Sequence, residues 1–167
     1  MKHTLLLALL LSLPLNGASI NGSGSLKNQI INQDFIINGA GSIEDTTITG
    51  KLDVNGAVSI KGSKLNDLTV NGAFSGESVI ISGKTIVQGG FSAKGCTFQN
   101  ITITAESATL EDCTAEEITI KPIPEKDQII EIKGTSNIRK VTFESKRGII
   151  KKSPESRIAE TSGIKTK

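Results

Sequence analysis

Beyond the first fifteen residues, aliphatic positions alternate with Thr, Ser, Asn, Asp and Lys in short runs that Gly or Asn interrupts. Alternation with a period of two is the pattern of a half-buried β-strand. Gly and Asn favour the turns between such strands, and no apolar stripe at helical spacing follows Leu15. The pattern therefore predicts an all-β chain of short strands joined by tight corners.

The alternating runs form a repeat. An aliphatic residue, in most copies followed by Asn-Gly or a related pair, recurs at positions 20, 37, 54, 70, 87, 103 and 120. A unit of 16 or 17 residues cannot bury its own apolar face, whereas stacked units can. We predict a single-stranded parallel β-helix, or β-solenoid, of about six turns over residues 19–121, with an antiparallel β-sandwich as the less favoured alternative. Stacking would place Asn38, Asn55 and Asn71 in a ladder along one corner.

The N-terminal segment has the order of a secretory signal peptide. A basic start, Met1-Lys2-His3, precedes an apolar run that ends at Leu15, and small residues follow. The apolar run is shorter than the roughly 20 residues that span a bilayer. We predict a signal peptide over residues 1–18, cleaved after Ala18, and export to the periplasm, the cell envelope or the extracellular space.

The repeat is interrupted after Lys121, because Pro122 and Pro124 cannot lie inside a paired central strand. We predict a loop with C-terminal strands over residues 122–150, which could cap the solenoid, and a disordered basic tail over residues 151–167. From Lys133 onward the sequence contains ten Lys or Arg and three Glu. The net charge of this part is +7, which leaves −5 for the preceding residues. The favoured interpretation is a solvated tail that binds nothing specific. The alternative is a tail that docks on an anionic surface or polymer, or on another copy's acidic turns.

Composition restricts the chemistry. The net charge of +2 gives no indication of nucleic-acid binding. The only histidine, His3, lies in the predicted signal peptide, so the mature chain would lack the commonest general base and metal ligand. We expect no enzyme, no cofactor, and neither catalytic nor metal-binding residues. An acidic cluster is interpreted as a solvated face rather than a cation site or a carboxylate pair for glycan cleavage. It consists of Glu106, Glu111, Asp112, Glu116 and Glu117.

Cys96 and Cys113 are 17 residues apart, one full turn, in a column that also contains Ser63 and Val79. Neighbouring turns would hold the two Cα atoms roughly 4.8 Å apart, within the range of a disulfide. Export would permit oxidation. The column faces inward, however, and buried thiols also act as small apolar fillers. Both interpretations, two free thiols or one disulfide, remain open at this point.

The runs Ile48–Gly62 and Val79–Lys94 contain Gly-x-Leu/Val-x-Val/Ile-x-Gly-Ala phrases. In these phrases, residues 20–121 resemble the bactofilins, the polymer-forming bacterial β-helix proteins. The resemblance implies a compact, loop-free, right-handed β-helix whose ends stack into filaments without a nucleotide. Bactofilins are typically cytoplasmic, whereas this chain starts with a predicted signal peptide.

These observations favour an exported, non-catalytic structural protein that self-associates into a homo-oligomer through its N-terminal turns. An uncovered first turn would expose unpaired backbone groups above an apolar axis, and repeat proteins need polar caps to stay soluble. The predicted assembly end consists of Leu26, Ile31, Phe35 and Ile37. The alternative function is an adhesin-like binding module that uses one ladder face, although Trp and Tyr, which stack on sugars, are absent.

Overall fold

A computed structural model describes residues 18–165, and every regular element in that range is a β-strand. The strands are β1 (Ala18–Asn21), β2 (Gly24–Lys27), β3 (Ile30–Ile31), β4 (Phe35–Asn38), β5 (Gly41–Glu44), β6 (Thr47–Asn55), β7 (Val58–Lys61), β8 (Lys64–Asn71), β9 (Phe74–Glu77), β10 (Ile80–Gln88), β11 (Phe91–Lys94), β12 (Thr97–Thr104), β13 (Ser107–Glu111), β14 (Thr114–Ile120), β15 (Gln128–Lys133), β16 (Asn137–Phe143), β17 (Gly148–Lys152) and β18 (Arg157–Ser162).

Two parallel sheets wind around a common core. Sheet A has the order β1-β4-β6-β8-β10-β12-β14-β16-β18, with β3 beside β6, and sheet B has the order β17-β15-β13-β11-β9-β7-β5-β2. Each strand pairs with the corresponding strand of the next turn; Val54, for example, lies beside Val70. The nine layers of sheet A confirm the predicted β-solenoid and give it about nine turns rather than six.

A β-bulge explains why turns of 17 and 16 residues alternate. In β6 the register with β8 shifts between Ile48 and Lys51, and β10 has the same irregularity. The bulged strands contain one additional residue at the point where the sheet A strand bends. Gly50 occupies this bend, and a Cβ there would lie 2.3 Å from the backbone of Gln33. Close backbone approach therefore requires glycine at this position.

The core consists of inward-facing columns in which large and small residues compensate each other. The rings of Phe74, Phe91 and Phe98 pack with centroids 5.2–6.4 Å apart. Gly76 makes room for them, since a Cβ there would lie 2.6 Å from the Phe74 ring. This interdigitation is the packing that gives protein interiors their density. All five phenylalanines are buried.

One corner of the solenoid has the left-handed backbone conformation in successive turns. The residues at this corner have φ between +48° and +61°, values that Gly, Asn and Asp adopt most readily. They are Asn28, Asp45, Gly62, Ser78, Gly95, Asp112 and Gly134. The turn residues that interrupt the alternating pattern in the sequence thus lie at a structurally equivalent position.

The C-terminal region differs from the prediction. Residues 121–127 form an insertion, after which β15 pairs with β13 and β16 pairs with β14. Residues 128–150 therefore continue the solenoid instead of capping it. Residues 151–162 are not a disordered tail, because β17 and β18 add to the two sheets. The insertion hides the repeat in the sequence, since Ile120 pairs with Phe143, 23 positions later.

The predicted signal peptide lies outside the described residues, with the exception of Ala18. This residue is the first of β1 and pairs with Phe35.

Candidate functional site

The N-terminal end consists of the first two turns. Leu26 of the first turn and Ile31 of the second are only half-buried, and Ile30 is 75% exposed. Phe35 and Ile37 belong to the second turn, where Ala18 and Ile20 lie over them. Of the four residues predicted to form the assembly end, Leu26 and Ile31 are thus accessible and the other two are buried.

Cys96 and Cys113 are free, buried thiols in the structure. The sulfur of Cys113 accepts a hydrogen bond from the Cys96 amide at 3.4 Å and donates one to the Glu111 carbonyl at 3.2 Å. Ser136 repeats the pattern one turn later, since its hydroxyl accepts from the Cys113 amide at 3.0 Å. The cysteines therefore occupy positions that serine or threonine fills in other turns. The column contains Thr46, Ser63, Val79, Cys96, Cys113, Ser136 and Ser156.

This inward column satisfies the backbone at a corner. Four of its members, Thr46, Ser63, Cys113 and Ser136, bond both a carbonyl near their own corner and an amide of the preceding turn. Ser63, for example, donates to the Lys61 carbonyl and accepts from the Thr46 amide. The hydrogen bond with Cys96, together with burial, raises the pKa of the Cys113 thiol. A thiol with a raised pKa is mostly protonated and weakly nucleophilic at neutral pH. The arrangement of Cys113 is that of a structural residue.

Asn38, Asn55 and Asn71 form a hydrogen-bonded ladder that also includes Asn21. In each step the side-chain amide donates to the side-chain oxygen of the preceding turn at 2.9 Å. Gln88 follows Asn71 in the same register. Because every described step has the same direction, the ladder is polar along the axis of the solenoid.

A column of alternating charge follows the outer surface of sheet B. Lysine and glutamate alternate over seven consecutive turns. The column contains Lys27, Glu44, Lys61, Glu77, Lys94, Glu111 and Lys133. Three of its neighbouring pairs form ion pairs at 2.7–3.2 Å. This column was not predicted from the sequence, although the residues that follow Leu26, Ile43 and Ile60 alternate in sign.

Six of the nine basic residues described between Lys133 and Lys165 form ion pairs within the chain, and Asp127 and Glu131 are each shared by two of them. Arg139 and Lys140 pair with Glu116 and Glu117 of the preceding turn. The other predicted acidic residues are also engaged: Glu111 pairs with Lys94, Glu106 with Lys126, and Asp112 accepts from Thr135. Contacts within one molecule therefore compensate part of the charge asymmetry of the sequence.

A shallow groove runs along the corner between the two sheets. Small residues of successive turns form its floor, and the serines of sheet B form one wall. Its lining includes Ala40, Ala57, Ala73, Gly90, Ser59, Ser75 and Ser92. The surface beside the charge column is therefore formed by small side chains.

Within residues 18–165, no cluster of three or more histidine, cysteine or acidic side chains is arranged to bind a metal ion. In the same part of the chain no helix has the length and apolar character needed to cross a membrane. No protein-family model matches the chain, and no curated protein or solved structure is significantly similar to it.

Proposed function

We propose that this protein is an exported, non-catalytic structural β-solenoid that self-associates through its N-terminal turns. The single observation that carries the proposal is that the edge strands at the two ends of the solenoid are protected to different degrees. Apolar axis residues are half-buried at both ends, but the edge strands at the N-terminal end contain one charged residue. Those at the C-terminal end, β17 and β18, contain four and are followed by a segment that folds back to Gly148. Its predicted signal peptide and its resemblance to bactofilins are consistent with a role in an envelope or surface assembly.

The N-terminal end has the features of an associating edge. Strands β1 and β2 are the outermost strands of sheets A and B. Together they contain one charged residue, Lys27, and their inward residues Ile20 and Leu26 are half-buried. Edge strands of low charge recruit further strands, and burying the accessible apolar surface would favour the dimer by roughly 25 cal/mol per Å².

The outer surface of the second turn also indicates that the contact lies at the N-terminal end. Ile30 is 75% exposed and Ile36 is 36% exposed, and both face outward next to the first turn. Exposed aliphatic residues scattered singly need no explanation, whereas a group beside an open strand edge indicates a contact surface. We therefore place the interface over the first two turns.

The C-terminal edge is protected in comparison. Strand β18 includes Arg157 and Glu160, and the following segment returns to Gly148, whose carbonyl accepts from the Lys165 amide at 2.8 Å. Charged edge strands and covering segments are the usual protection against edge-to-edge pairing. An N-terminal dimer is therefore favoured over an unlimited filament.

Sedimentation of the mature chain over a wide concentration range tests the proposal. We expect a monomer–dimer equilibrium, and a shift to monomer when Leu26→Asp or Ile31→Asp places a carboxylate in the contact. The matched control is Thr97→Asp, an exposed position of β12 far from the end, which should leave the equilibrium unchanged. A monomer at high concentration with an ordered first turn would contradict self-association.

A binding module is the second candidate, because the groove offers an accessible surface of small residues about five turns long. It predicts a monomer at every concentration and a complex only after an external ligand is added. The sedimentation experiment therefore distinguishes the two functions.

A further inference from the structure

The outer surface of sheet B is complementary to itself. It presents three parallel columns along the solenoid: small residues at the groove, hydroxyls, and the alternating charges. The hydroxyl column contains Ser25, Ser42, Ser59, Ser75, Ser92 and Thr109 in direct register. We propose that this surface, the sheet B face, is a lateral contact between two antiparallel copies of the chain.

The charge pattern determines the arrangement. A two-fold axis parallel to the strands and between β7 and β9 would place β7 of one copy opposite β9 of the other. Lys61 then faces the second copy's Glu77, and the reciprocal contact follows from the symmetry. The two neighbouring layers pair Glu44 with the second copy's Lys94, and Lys27 with the second copy's Glu111. Six complementary contacts result, because the sign alternates at every turn.

The other two columns agree with the same axis. Ser59 would face the second copy's Ser75, and Ala57 would face the second copy's Ala73. A hydroxyl can both donate and accept a hydrogen bond. The hydroxyl column of one chain can therefore pair with the same column of the second copy, and no hydroxyl is left without a partner. The small residues let the two sheets approach closely, and the three charge pairs within each chain stay at the rim, where water reaches them.

Sheet A lacks this combination. Asp34, Lys51, Asp67 and Lys84 follow one another in its turns, so charge alternates there as well. The outward column next to it, however, contains bulky aliphatic residues such as Ile36, which pairs with Asp53 and is 36% exposed. Alternation alone supports the register between turns of one chain; alternation beside flat columns of small residues favours contact between chains.

The contact is expected to be weak by itself. Six strands about 4.8 Å apart and three columns across give a face of roughly 300 Å² per copy, against about 800 Å² for a standard interface. Electrostatic complementarity of this kind contributes orientation more than affinity. Where solenoids are joined at their ends, two such faces act together, and effective concentration strengthens the contact. The lateral contact itself does not depend on the end contact.

Charge variants of the face test the proposal. Glu44→Lys, Glu77→Lys and Glu111→Lys together give an all-lysine column. Lys27→Glu, Lys61→Glu and Lys94→Glu give glutamate at the six positions that face the second copy and leave Lys133 beyond them. In fluorescence anisotropy at 50 mM NaCl, the two variants should bind each other at least tenfold more tightly than either binds itself. The preference should be lost in 0.5 M NaCl, because exposed charges are screened.

A control pair has the same change in net charge on sheet A. Six exposed neutral residues are replaced, all by lysine in one chain and all by glutamate in the other. They are Asn32, Thr49, Asn66, Thr97, Gln99 and Asn137. Heterologous binding of the control pair equal to that of the sheet B pair would show unspecific attraction and would overturn the proposal.

A steric variant keeps the charge column intact. Ala57→Arg with Ala73→Arg should weaken the lateral contact of the otherwise unchanged protein at least tenfold, whereas Thr49→Arg with Asn66→Arg on sheet A should not. Both pairs lie at exposed positions, so folding is retained. Unchanged self-association of the Ala57→Arg, Ala73→Arg variant overturns the lateral contact and leaves the N-terminal contact standing. A loss caused only by this arginine pair, with Leu26→Asp unchanged, has the opposite meaning.

Discussion

The two ends of the solenoid differ in how their edge strands are protected. At the C-terminal end, Asp127 of the insertion binds Lys165 at 2.7 Å and Arg147 at 2.9 Å, and holds the last residues over the final turn. At the N-terminal end, the strands contain little charge and the axis residues Ile20 and Leu26 are half-buried. An insertion that interrupts the repeat thus protects one end, whereas the regular repeat leaves the other open.

The largest expected difference is between the middle and the C-terminal end of one inward column. Leu65→Asp would bury an unpaired carboxylate, since Leu65 is 3% exposed, and should cost roughly 3–5 kcal/mol or prevent folding. Ile158→Asp changes the last, half-buried member of the column and should cost less than about 2 kcal/mol. Urea denaturation measures both; equal costs would contradict the assigned ends.

The hydroxyl and thiol column gives the next comparison. Ser136→Ala removes the acceptor of the Cys113 amide and should cost about 1–3 kcal/mol. Ser156→Ala in the last turn removes a donor to the Gly134 carbonyl and should cost about 1 kcal/mol or less. Cys113→Ser keeps both hydrogen bonds and is the control. Thermal unfolding of the three variants should rank them in this order, and a large loss for Cys113→Ser would indicate a role of the sulfur itself.

A stabilising change is expected inside the regular turns. The hydroxyl of Thr85 is buried and has no hydrogen-bond partner, so Thr85→Val should raise the free energy of unfolding by about 1 kcal/mol. Thr46 is equally buried, but its hydroxyl donates to the Glu44 carbonyl at 2.9 Å. Thr46→Val should therefore destabilise the protein in the same assay. Destabilisation by both would refute the environment described for Thr85.

The smallest expected effect concerns the ion pairs of Asp127 with Lys165 and Arg147, which hold the C-terminal residues. Hydrogen bonds from Lys165 and Arg147 hold the pKa of Asp127 below its usual value. Because the folded-state pKa is the lower one, the ion pairs contribute above the usual carboxyl pKa and are lost as the pH falls through the depressed value. Heteronuclear NMR relaxation should show Ile164 and Lys165 ordered at pH 7 and mobile in acid. In the Asp127→Asn variant, Ile164 and Lys165 should be mobile at both pH values. If they are ordered in this variant, the ion pairs of Asp127 do not hold the segment.

The regular turns could be predicted from the sequence because each position has one repeating requirement. The aliphatic residues 37, 54, 70 and 87 share an inward column, and their spacing alone gives the fold. The last turns could not be recognised, since the insertion between Ile120 and Gln128 shifts the period while the strands keep their register.

The side-chain contacts between turns were harder to predict from the sequence. The pairing of Arg139 with Glu116 joins residues 23 positions apart, a separation that only the inserted loop produces. The role of Cys113 depended on its hydrogen bonds rather than on its spacing. Burial of Phe35 and Ile37, in contrast, follows from the repeat, because its copy at Ile20 predicts a turn over them, as β1 provides.

Distances between the ends of two molecules test the central claim most directly. Nitroxide labels would be attached at Ser23→Cys near the first turn or at Ala159→Cys in the last strand. The background would contain Cys96→Ser and Cys113→Ser, with Ala57→Arg and Ala73→Arg to remove lateral contact. Nine turns at about 4.8 Å make the solenoid roughly 40 Å long.

An N-terminal dimer predicts a dipolar distance below roughly 20 Å for the label at position 23 and, with two solenoids end to end, about 80 Å for the label at position 159. A short distance at position 159, or no coupling at position 23 at high protein concentration, would contradict self-association through the N-terminal turns.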